Sequence, residues 1–103
     1  MPELKKYKMF IDGEWVDSES KKTFETLNPE NNEPWAVAPE AIAKDVDRAV
    51  KAAQKAFEGE WPKLLPRDRA KFLRAIADQL RKNAEMLGEI ETIDTGKLFR
   101  ETK

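Results

Sequence analysis

The sequence predicts an α+β chain: a short antiparallel β-hairpin and strands over 7–38, followed by two or three α-helices over 43–58 and 66–95. Three observations carry this. An Asp12-Gly13 pair separates two apolar, β-favouring triplets. From Lys44 the apolar spacing changes to steps of three and four. No strand-like segment returns after the helices, so no βαβ unit is written here and the elements fall into a strands-then-helices order.

Met9-Phe10-Ile11 and Glu14-Trp15-Val16 flank a pair of residues that tolerates the positive φ angles of a two-residue hairpin turn. That register sets Phe10 opposite Trp15 and Met9 opposite Val16, two cross-strand pairs worth roughly 0.2–1 kcal/mol each. After the polar stretch Asp17 to Lys22, the Thr and Phe content of Thr23-Phe24-Glu25-Thr26-Leu27 favours a strand, which Asn28-Pro29 ends. A polar turn, Glu30 to Glu33, precedes a second extended segment, Trp35-Ala36-Val37-Ala38, stopped by Pro39.

Val46, Ala49, Val50, Ala53 and Phe57 form the single apolar stripe of an amphipathic helix that closes at Gly59. Pro66 suits the first position of a second helix, whose face carries Ala70, Leu73, Ile76, Ala77 and Leu80. Asn83 interrupts or re-caps it, Leu87 and Ile90 continue a third helix, and Asp94-Thr95-Gly96-Lys97 reads as its stop. No element is expected after that.

Composition removes most enzyme chemistry. There is no Cys and no His, so thiolate nucleophiles, imidazole relays and Cys/His zinc sites are excluded together. The four glycines, Gly13, Gly59, Gly88 and Gly96, have no dinucleotide-binding or phosphate-cradling spacing. The formal net charge of −1 gives no field that would attract nucleic acid or an anionic membrane. Met1 to Lys8 is basic with no apolar stretch behind it, and no later run is long enough to span a bilayer, which points to a cytoplasmic protein without a membrane partner.

Four stretches, taken in order, resemble the amino-terminal region of the aldehyde dehydrogenase superfamily. They are Phe10 to Val16; Thr23-Phe24 with Leu27-Asn28-Pro29; Asp45 to Val50 with Ala53 and Ala56-Phe57; and Glu91 to Lys97. Arg69, Leu73, Ala77, Asp78 and Leu80 match the family's pattern for the helix between the last two. Members of that family are several times longer and oxidise aldehydes to carboxylates with NAD or NADP through a thiohemiacetal on a cysteine. The resemblance implies that this chain is the amino-terminal part of the α/β cofactor-binding domain. No catalytic and no cofactor-binding residue carries over to it.

One site carries over in part. Many members hold a sodium or potassium ion on backbone carbonyls ahead of the Asn-Pro pair and on the aspartate of the Thr-Gly-Lys stretch; here those positions are Thr26, Leu27 and Asp94. Oxygen donors of this kind suit a hard cation. Departures from the family pattern fall at Lys21, where a glycine is usual and a positive φ would cost of order 1 kcal/mol, and at Ile42, where a capping Ser, Thr or Asp is usual. Leu65 is a second missing cap, and Asn32 stands where relatives have Gly.

Other clusters have plainer explanations. Arg67, Arg69, Lys71, Arg74, Arg81 and Lys82 resemble a phosphate-binding face, but Asp68, Asp78 and Glu85 are interleaved, as on a solvated helix. Glu89, Glu91 and Asp94 read as a polar helix face rather than an acid/base pair. Trp15, Trp35 and Trp61 read as packing anchors. Helix stripes shaped for a partner would leave apolar surface open, so the expected partners are the remainder of an aldehyde dehydrogenase chain or a second copy. The competing expectation is a free-standing interaction module descended from the same segment.

Overall fold

The structure is a computed structural model that describes residues 3–102; Met1, Pro2 and Lys103, part of the 1–103 segment read above, lie outside the described residues. The chain divides into two compact units: Met1–Leu27 with Pro34–Pro62, and Asn28–Glu33 with Lys63–Lys103.

The first unit holds the strands. β1 (Lys5–Lys6), β2 (Met9–Ile11), β3 (Glu14–Val16), β4 (Thr23–Asn28) and β5 (Glu33–Pro39) make a β2-β3 ribbon and a separate sheet in the order β1-β5-β4. The ribbon has the predicted register, Met9 with Val16 and Phe10 with Trp15, because Asp12 (φ 52°) and Gly13 (φ 77°) both adopt the left-handed conformation that a primed turn requires. The Phe10 and Trp15 rings meet edge to face, centroids 4.9 Å apart. In the sheet, β1 runs parallel to β5, Lys5 beside Ala36 and Lys6 beside Val37, and the Tyr7 N–H continues the ladder to the Val37 carbonyl at 3.0 Å. The chain between these parallel strands is the ribbon and β4 rather than a helix, consistent with the absence of a βαβ unit.

Helix α1 (Ala43–Glu58) belongs to the same unit, and a short 3₁₀ turn, Trp61–Lys63, follows it. The second unit contains α2 (Pro66–Lys82) and α3 (Ala84–Thr95), separated by Asn83, with Pro66 at the start of α2 as expected. Lys21 (φ 63°) and Asn32 (φ 58°) are left-handed.

Three expectations need correction. Gly96 is followed by another element, α4 (Phe99–Thr102). That single turn has no periodicity to read; Thr102 Oγ1 anchors it, donating to the Gly88 carbonyl at 2.9 Å while lying 2.9 Å from Thr92 Oγ1. Strand structure begins earlier than residue 7, at Lys5, because β5 supplies a ladder for two residues with little strand preference of their own. Trp15, read as a packing anchor, is 68% exposed and meets Phe10 edge to face.

Candidate functional site

In the second unit, the Asn-Pro turn and the Thr-Gly-Lys stop come together. Asn28 Oδ1 accepts the Glu30 N–H at 3.0 Å, and the Asn32 N–H reaches the Asn28 carbonyl at 2.7 Å, so the turn is closed by its own side chain and backbone. Gly96 ends α3 at φ 78°, its N–H on the Thr92 carbonyl at 2.9 Å. A Cβ on Gly96 would lie 3.1 Å from Pro29 Cγ, so glycine is needed here both for the left-handed angle and for the close approach. Thr95 Oγ1 donates to the Glu91 carbonyl at 2.7 Å and accepts the Lys97 N–H at 3.3 Å. The result is a cleft of about 630 Å³, with Asn28, Pro29, Thr92, Ile93, Thr95 and Lys97 among its lining residues.

The predicted ion ligands border this cleft only in sequence. Thr26 and Leu27 lie on β4 in the first unit, one half-buried and one exposed; Asp94 is exposed on the last turn of α3 in the second. Their chain neighbours Asn28, Ile93 and Thr95 line the cleft. The donor set suits sodium or potassium in kind, being carbonyls and one carboxylate, but three donors fall short of the six to eight oxygens that ions such as Ca²⁺ take. Among the described residues no three His, Cys, Asp or Glu side chains cluster as a metal site.

The first unit holds a buried polar centre that sequence reading passed over. Asp45 is 2% exposed; its Oδ2 accepts the Ile42 N–H at 2.8 Å and its Oδ1 the Glu19 N–H at 3.0 Å, with Arg48 at 3.6 Å. The Ile42 N–H bond lowers the Asp45 pKa most, the Glu19 N–H and the Arg48 charge add to that, and partial desolvation opposes them. Ile42 itself has no acceptor, so α1 keeps only one half of a capping box, the half in which the third helical residue reaches back. The missing cap at position 42 is therefore offset in part. An acid three residues after the cap was the legible signal; its second partner, Glu19, was not. Beside it, the buried Ser18 hydroxyl lies 3.1 Å from that of Ser20 and 3.3 Å from the Lys22 carbonyl.

The remaining clusters behave as solvated helix faces. Lys71 pairs with Asp68 at 3.6 Å and Arg81 with Asp78 at 3.0 Å, and Glu89, Glu91 and Asp94 are exposed along α3. On the apolar side, Phe72, Ile76, Leu80, Met86 and Leu87 line an open groove of about 510 Å³ between α2 and α3. Leu73 is 66% exposed and Ile76 58%, so these helices meet in the second unit without covering their stripes. No helix among the described residues is long and apolar enough to cross a membrane.

Known proteins share this arrangement of strands and helices. The model of the aldehyde dehydrogenase family matches residues 15–103. An aldehyde dehydrogenase of Aspergillus niger is 49% identical over 86% of this chain, and aldehyde dehydrogenase family 2 member C4 of Arabidopsis thaliana is 44% identical over 97%. Among solved structures, betaine aldehyde dehydrogenase of Staphylococcus aureus in complex with NAD+ superposes with a TM-score of 0.89 at 43% identity over 92% of this chain. An NAD-dependent aldehyde dehydrogenase of Sinorhizobium meliloti reaches 0.92 at 35% identity over 96%. This chain belongs to the aldehyde dehydrogenase family. It spans about a fifth of the length of these relatives, 18% and 20% of the two sequences and 19% and 20% of the two structures.

Proposed function

We propose that this chain is the amino-terminal scaffold segment of an NAD(P)-dependent aldehyde dehydrogenase, a cytoplasmic oligomeric enzyme that oxidises an aldehyde to a carboxylate. In this reading its residues position the start of the cofactor-binding domain and none touches substrate or nicotinamide. Hydride acceptance comes from NAD or NADP when bound to the whole enzyme. This chain's contribution is the Asn28–Pro29 turn locked against Gly96 and the helix faces offered to the rest of the protein. The observation that carries the reading is the family match over residues 15–103 together with uncovered apolar stripes on α2. The chemistry of the donors also supports the carbonyls of Thr26 and Leu27 and the carboxylate of Asp94 as part of a Na+ or K+ site in the whole enzyme.

A chimera tests this: the segment replaces the equivalent residues of the Staphylococcus aureus betaine aldehyde dehydrogenase. The expected result is aldehyde-dependent NADH formation by the chimera and none by the 103-residue chain. Turnover by the chain alone, or a chimera that forms no NADH, overturns the scaffold reading in favour of an independent module.

A further inference from the structure

We propose that Asp12-Gly13, at the tip of the β2-β3 ribbon, is a site of spontaneous isoaspartate formation. The reaction needs a backbone nitrogen after the aspartate that can reach its side-chain carboxyl, and a following glycine, with no side chain of its own, offers the least hindered one. Asp12 and Gly13 are exposed, and a Cβ placed on Gly13 would meet nothing within 4 Å. Among the described residues no side chain holds the Asp12 carboxylate. The Gly13 nitrogen attacks Asp12 Cγ, forming a C–N bond as a C–O bond breaks and one water leaves, which gives a five-membered cyclic imide. Water then adds back. Opening at the side-chain carbonyl regenerates aspartate, and opening at the backbone carbonyl leaves the main chain running through Cβ. No oxidant or co-reactant is consumed.

Ring closure requires the Asp12 backbone to leave its left-handed angle, so the turn must open. What opposes this is a three-residue pairing of β2 with β3, held by the Phe10–Trp15 and Met9–Val16 pairs, and the seat of β2 on α1, in a ribbon that forms no ladder with the other sheet. The other aspartates lack this combination. Asp45, Asp47, Asp68, Asp78 and Asp94 lie within α-helices, whose backbone hydrogen bonds hold the main chain in place. Asp17 is followed by Ser18, which is buried and tied to Ser20 and Lys22. The product inserts an extra backbone carbon into a turn whose two residues must both be left-handed, so the register of Phe10 on Trp15 is lost.

The test is to age the purified chain at physiological temperature and pH, digest it with trypsin, and locate isoaspartate in the Met9–Lys21 peptide by electron-transfer fragmentation. Isoaspartate is expected at Asp12 first, in several-fold excess over Asp17. Asp12→Asn should accumulate it faster, because ammonia then leaves in place of water, and Asp12→Glu should abolish it. A chain that stays unmodified at Asp12 while a urea-unfolded sample reacts there, or one in which Asp17 or a helical aspartate reacts first, overturns the proposal.

Discussion

The 17–22 loop against the start of α1, and the apolar face of α2 and α3, are held in opposite ways. In the first, polar groups find partners within the unit: Asp45 takes two backbone N–H groups, Ser18 is buried with its hydroxyl engaged, and Lys22 and Glu40 are joined by a 2.9 Å backbone bond. In the second, α2 and α3 start without side-chain caps at Leu65 and Asn83, and Phe72, Leu73, Ile76, Leu80, Met86 and Leu87 are exposed. Turns and caps are completed by single donors and acceptors within the unit. Burial of a helix stripe requires a surface, and the second unit does not supply enough of one.

Perturbations of the two regions separate these modes. The largest effect is expected from Gly96→Val, which forces a branched residue into a left-handed angle and toward Pro29. The angle alone costs about 1–2 kcal/mol, read as a lower midpoint in far-ultraviolet circular dichroism melts. Next comes Asp45→Asn, which keeps the shape but loses the charge and one acceptor, and should lower the urea midpoint followed by tryptophan fluorescence. Its pH dependence has a definite sign. Because the folded Asp45 pKa is lowered, the stability it adds is complete above the unfolded pKa and is lost as pH falls through the folded one. The Asn variant should lack that acid-side loss. Ile42→Ser completes the capping box and should stabilise by about 1 kcal/mol. The smallest change is Lys21→Gly, a gain of under about 1 kcal/mol from relieving φ 63°, offset by the greater freedom of an unfolded glycine. If the loop changes fail to shift the fluorescence midpoint, the polar contacts of the first region do not hold it.

How much could be read in advance follows the same division. The hairpin was legible to the residue because Asp12-Gly13 dictates the turn and the turn dictates the register. Helix α1 was legible from its stripe and α2 from Pro66, with bounds at Ala43–Glu58 and Pro66–Lys82. The Asp45–Glu19 bond was not, because its partners are separated by 26 positions and no local pattern links them. Nor were β1 and α4, two and four residues long, whose formation depends on a neighbouring strand and on one threonine. Of the cleft, both motifs were legible, but their contact through Pro29 and Gly96 was visible only in the fold.

We propose that α2 and α3 carry faces made for a surface outside this chain. Sedimentation velocity across a concentration series, paired with a urea melt of the same samples, tests it most directly. Concentration-dependent association, or a broad transition with dye-binding apolar surface, is expected. A monomer at every concentration with one sharp two-state melt would contradict it.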